Sequence, residues 1–200
     1  MKVWITAVVA AVPGSVLAGF GLIHPAFLDE TTAMMWWQLH IPLIPLFPLL
    51  AGAMWLVLRG VRGGLPGALA WVARIGAYLF ACLYTALDTI SGISAGIVTE
   101  RLGGSQAVLD LFAVGDELGH IGVWCLATST VLAAAALFPR DGLRVLPGTV
   151  VLLVSAWAFY RFHIFHPYGA LAMLGYAVGF ALLAAARRPV PAEREPVPAG

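Results

Sequence analysis

Apolar residues run along this chain in blocks of about 20, broken by short polar stretches, with none of the strict alternation that marks half-buried strands. A helix that crosses a bilayer needs about 20 largely apolar residues. Six blocks meet that length: residues 3–23, 33–58, 76–98, 119–138, 145–162 and 167–186. The pattern predicts an all-α polytopic membrane helix bundle of about six transmembrane helices spanning residues 1–186. The stretch "LPGALAWVAR" ahead of the third block allows that helix to begin earlier, through an interfacial turn whose Arg74 snorkels to the headgroups. The first block reads as a retained helix rather than a secretory signal, because its apolar run continues past Ala18 to Ile23.

Composition agrees. Of 200 residues, 61% are hydrophobic and 10% charged, against about 25% charged in soluble domains. The formal net charge of +1, with no basic stripe, speaks against a nucleic-acid partner. Lys2, Arg59, Arg62, Arg140, Arg144, Arg187 and Arg188 fall on one side of the expected spans. Positive charge in short loops marks the cytoplasmic side, so both termini are expected inside, in the inner (plasma) membrane of the cell. The tail 187–200, "RRPVPAEREPVPAG", has no aromatic residue and is expected to be a disordered cytoplasmic segment. Cys82 and Cys125 show no metal or redox spacing and read as small apolar packing groups.

The polar residues inside the spans carry the chemistry. All five histidines (His24, His40, His120, His163 and His166) fall in the half away from the basic loops. Carboxylates gather in the same layer. "DELGH" puts Asp116 and Glu117 four and three residues before His120, on one helix face. An ExxH pair is also how one helix offers two ligands to a metal, although Asp116 at a helix start would serve equally as a cap. Asp88 lies within the third block, before Ser91 and Gly92 loosen the helix. A carboxyl at that depth costs several kcal/mol unless paired, hydrated or protonated, and such residues face a bundle interior or a wet cavity. In "HIPLIPLFPLL", Pro42, Pro45 and Pro48 leave carbonyls near residues 38, 41 and 44 without helical donors. Broken backbone in lipid requires protein or water around it, so a kink and a cavity are expected beside His40. Packing alone is the plain alternative for the kink.

Trp36, Trp37, Tyr160, Phe162, Phe165 and Tyr168 flank this layer, as an interfacial belt or as the lining of an apolar slot. Arg161 is the cation nearest the cluster, a candidate for holding a carboxylate, a phosphate or a haem propionate. The set predicts a membrane enzyme acting on an apolar, lipid- or isoprenoid-like small molecule near the outer face. Its chemistry would be metal-assisted or of the acid–base, isomerase or cyclase type. Candidate ligands for Zn or Fe are His40, His120, His163 and His166; candidate catalytic groups are Asp88, Glu117 and His120. A haem or other metal-binding redox protein is the first alternative, without a CxxCH motif for covalent attachment. A metal transporter ranks below it, because the inner halves of the spans are nearly free of polar groups; a structural membrane subunit is the remaining option.

Overall fold

The computed structural model describes residues 2–187. Helix α1 (Val3–Ile23) leads through a polar loop to α2 (Ala33–Leu46), whose axis is interrupted at Phe47 before α3 (Pro48–Val57). Helix α4 (Gly64–Leu87) passes into a π-helical segment, Asp88–Ser94, and then into α5 (Ala95–Leu102). The longest helix, α6 (Gln106–Asp141), reverses at Gly142 into a short 3-10 turn and α7 (Leu146–Phe162); α8 (Tyr168–Ala186) follows. No strand occurs among the described residues.

Five stretches are long and apolar enough to cross a membrane: Val3–Ile23, Ala33–Val57, Gly64–Leu102, Gln106–Phe162 and Tyr168–Ala186. The fourth contains both α6 and α7, which fold back on one another. Two expectations are corrected at the boundaries. The helix of the third block starts earlier than residue 76: the "LPGALAWVAR" stretch forms the first turns of α4, which starts at Gly64. Arg74 does not reach outward; its buried guanidinium donates to the Leu58 carbonyl at 2.6 Å, satisfying an orphan oxygen at the end of α3. Helix α6 begins thirteen residues before the block expected at 119, with Ser105 as its N-cap residue. Asp116 therefore caps nothing and sits with Glu117 well inside the helix.

The helices pair as α1 with α8, α4 with α6 and α7 with α8, while α2 lies across the π segment and α5. Small residues allow the closest approaches. A Cβ on Gly14 would come within 2.5 Å of the Ala177 nitrogen and 2.6 Å of the Met173 carbonyl, so α1 and α8 touch backbone to backbone. The core below is apolar, with Phe47, Met54, Phe80, Leu126 and Phe180 fully buried.

The pairing brings Arg59, Arg74, Arg140 and Arg187 to one end. Arg187 donates to the carbonyls of Val57 and Arg59, and its Nε lies 3.7 Å from the buried Asp141 carboxylate. Arg187 is thus docked on the bundle; the rest of the expected tail lies outside the described residues. At the opposite end, Asp29 organises the loop before α2 by accepting from the Thr31 hydroxyl (2.6 Å) and the Thr31 and Thr32 amides.

Two outcomes follow from these contacts. Gly14→Ala should lower thermal stability in detergent by about 1–3 kcal/mol, since backbone and not a flexible side chain must move. Gly19→Ala, with nothing within 4 Å of its added carbon, should be neutral or stabilising by about 0.5–1 kcal/mol. The Thr31 hydroxyl holds the Asp29 carboxyl below the usual carboxylate range. The loop's support is therefore complete above the ordinary carboxylate pKa and lost as pH falls through the lowered value. The Thr31 and Thr32 amide shifts, followed by NMR on acidification, should report that loss.

Candidate metal centre and its cavity

At the end of the bundle away from the basic residues, four elements bring polar side chains together. Helix α2 contributes His40, the π segment Asp88, the turn after α7 His163, and the loop after α1 His24. The His24 ring centroid lies 5.0 Å from that of His40 and 6.3 Å from that of His163. Potential ligand atoms of His40, Asp88 and His163 all lie within 4.8 Å of one another.

Each member is held by local structure. His40 Nδ1 lies 2.7 Å from the Trp36 carbonyl, one turn back on α2. A carbonyl only accepts, so Nδ1 carries the proton and the Nε2 lone pair of the neutral ring is free. His24 repeats the arrangement, with Nδ1 donating to the Pro25 carbonyl at 2.8 Å and Nε2 buried without a partner. His163 ends α7 with φ +49°, a conformation few side-chain-bearing residues adopt. Its Nδ1 lies 2.5 Å from the Tyr84 oxygen, and its ring stacks on Tyr84 and Phe159. Burial pushes the His24 and His163 imidazoles below the ordinary histidine pKa, most strongly for His163, where the neighbouring His24 and His40 add to the effect. Neutral imidazole is the metal-binding form.

Asp88 is fully buried, and neither carboxylate oxygen has a hydrogen-bond partner. Native interiors pair nearly all such atoms. The π segment around it is supported from outside its own ladder: the Trp36 indole donates to the Ser91 carbonyl at 3.1 Å, and the Ser94 hydroxyl to the Thr89 carbonyl at 2.9 Å. Gly92 gives His40 its seat. A Cβ there would sit 2.1 Å from the ring's Cδ2. Four residues on, Gly96 admits the Trp37 backbone in the same way.

His40 and His163 form part of the wall of a cavity of about 160 Å³. Trp36, Tyr84, Phe159 and Phe165 are among the aromatic residues that line it. Asp116 and His120 are exposed residues that also line it, so the cavity opens beside them on the outer part of α6; the His120 and Tyr160 rings pack together at 4.2 Å along one side of that opening.

The expected site residues thus divide. His40, Asp88 and His163 come together, and His120 stands at the cavity mouth rather than among the three. His166, before Pro167, is exposed and lines no part of the cavity; Glu117 and Arg161 are likewise exposed and outside it. The prolines do not face the cavity: Pro42 and Pro45 are exposed, while His40, Leu43 and Phe47 turn inward. The helix break falls at Phe47, directly before Pro48. Tyr84 and His24 join the cluster without having been singled out for a role. Tyr84 precedes Asp88 by one helical turn, which is the sequence signal for a shared face. The Gly92-x-x-x-Gly96 spacing is the signal for close helix contact.

No family model, curated protein or solved structure matches this chain.

A buried, unpartnered carboxyl costs stability that a ligand would repay. Asp88→Leu should therefore raise the thermal stability of the metal-free protein by about 1–3 kcal/mol. A melting temperature below wild type would show that the carboxyl is already satisfied.

Proposed function

We propose that this chain is an integral membrane metalloenzyme in which His40, Asp88 and His163 hold one divalent transition-metal ion that acts on an apolar, lipid-like substrate. The observation that carries the reading is the convergence of two imidazoles on a buried carboxyl that has no other partner. Two histidines and one carboxylate with positions left open are the donor set of catalytic zinc and of non-haem iron(II). The ion would supply Lewis acidity, polarising an oxygen of the substrate. The Trp36 carbonyl fixes the His40 ring and its tautomer, as the outer partners of metal ligands do. Tyr84 does the same for His163 when its oxygen accepts from Nδ1–H. Phe47, Phe159 and Leu126 keep the layer beneath dry.

In this reading the bundle makes six crossings, α7 being a short one of 17 residues. The basic end is cytoplasmic by the positive-inside rule, and the metal lies near the outer face of the plasma membrane. Volume argues against the haem alternative. About 160 Å³ is roughly half the lower limit of ordinary small-molecule pockets, about 300 Å³, and a porphyrin is larger than most such ligands. Transport is disfavoured by the apolar core between the cluster and the basic end.

Cobalt(II) titration of the purified protein in nanodiscs, followed by visible absorption and elemental analysis, tests the proposal. One ion per chain is expected, with affinity reduced at least ~10-fold by each of His40→Ala, His163→Ala and Asp88→Asn. His166→Ala and Glu117→Gln should bind as wild type. A protein that takes up no ion, or one whose affinity survives Asp88→Asn, would overturn it.

A further inference from the structure

The cavity is too small to enclose a lipid-like molecule, yet it is open on one side, and the position of that opening indicates what enters. The exposed face of α6 changes character along its length. Asp110, Asp116 and Glu117 are exposed in its outer part, interleaved with exposed Leu109 and Val114; from Ile121 to Phe138 the large exposed side chains are Ile121, Trp124, Val131 and Phe138. From His120 to Phe138 the helix rises about 27 Å at 1.5 Å per residue, close to the ~30 Å hydrocarbon thickness of a bilayer. Helix α7 shows the same transition, with Val150, Val154 and Trp157 exposed below Tyr160 and Arg161 exposed above it. The mouth at Asp116, His120 and Tyr160 therefore lies at the edge of the apolar belt. An apolar surface runs up to it from one side and a mixed one, carrying carboxylates among exposed Leu109 and Val114, from the other.

Gly119 borders the cavity and packs directly on Leu87; a Cβ there would meet Leu87 Cδ1 at 2.1 Å. One further detail makes the entrance selective. The charge that lines the mouth is the Asp116 carboxyl, with Glu117 beside it in sequence. An anionic head would meet like charge at the mouth, which disfavours phosphate and carboxylate.

Resting on the metal-site reading for what happens inside, we infer that the substrate enters sideways from the bilayer past the exposed lip of α6 formed by Asp116 and His120. It is an amphiphile with a small uncharged oxygen-bearing head, of the alcohol or carbonyl class, on a long apolar chain. The head fills the cavity beside His40 and His163 while the chain remains in lipid along Trp124 and Trp157. A volume of about 160 Å³ suits a head of a few heavy atoms, and the rest of the molecule needs no pocket.

Photolabelling in nanodiscs tests this without requiring the metal. The probe is hexadecanol carrying a diazirine beside the hydroxyl; hexadecanoic acid with the diazirine at the same carbon is its anionic counterpart. The alcohol should label Phe112, His120, Tyr160 or Phe165 several-fold more than lipid-facing residues of α8, and excess unlabelled hexadecanol should compete. His120→Trp, which fills the lip, should remove that preference while leaving cobalt(II) uptake intact. The acid should label the mouth weakly in wild type and more strongly in Asp116→Asn. Uniform labelling around the bundle would overturn lateral entry. Equal labelling by alcohol and acid would overturn the selection of an uncharged head. If no ion binds but mouth labelling persists, the metal reading fails and the entry route stands.

Discussion

The site depends on one contact: the His40 ring lying directly against the backbone at Gly92. No other residue fits there, because a single added carbon would overlap the imidazole. The contact fixes how closely α2 can approach the π segment, and hence how near His40 comes to Asp88, four residues before Gly92. It also explains why the widened turn is tolerated in an apolar setting. A backbone that leaves the α-helical ladder inside a membrane must find other partners, and Trp36, from the same helix as His40, supplies the donor for Ser91. Helix α2 thus brings the ligand and stabilises the irregular segment that receives it.

The two ends of the bundle solve different problems. At the basic end, Arg74 and Arg187 serve as donors to carbonyls left over where α3 terminates, so charge is used to close helix ends. At the other end, the imidazoles of His24 and His40 use one nitrogen to close a backbone carbonyl and leave the second nitrogen bare. The first arrangement is complete in itself. The second leaves lone pairs directed at nothing the protein provides, beside a carboxyl in the same condition.

Much of the helical layout was legible because hydropathy blocks are long and their ends sharp. Residues 3–23 and 145–162 need almost no adjustment. The start of α6 was not, because Gly103, Gly104 and Asp110 interrupt the apolar run and Gln106–Phe112 is too mixed to register as a span. That error moved Asp116 from mid-helix to a supposed cap. The end of the bundle at which the histidines gather was legible from their position relative to Arg59 and Arg140. Which of them meet was not. Tyr84 and His163 are 79 residues apart, and only the packing of α7 and α8 turns His163 inward while leaving His166 outside. The prolines suggested a cavity near the right residue for the wrong reason: Pro42 and Pro45 lie on the outward face, and the cavity beside His40 is bounded by residues of α4, α6 and α7 and by Phe165.

The seven-residue π segment also sets a phase relation. Relative to an α-helix, a widened turn of this kind holds one surplus residue, and each residue of an α-helix corresponds to about 100° of rotation. Everything beyond Ser94, including the Glu100 carboxylate that accepts from the Trp37 indole at 2.6 Å, is displaced by that angle from where an unbroken helix would put it. The surplus residue thus works as a gear tooth between two halves of one long rod. It turns the outer half to mesh with α2 while the inner half keeps its own mesh with α6.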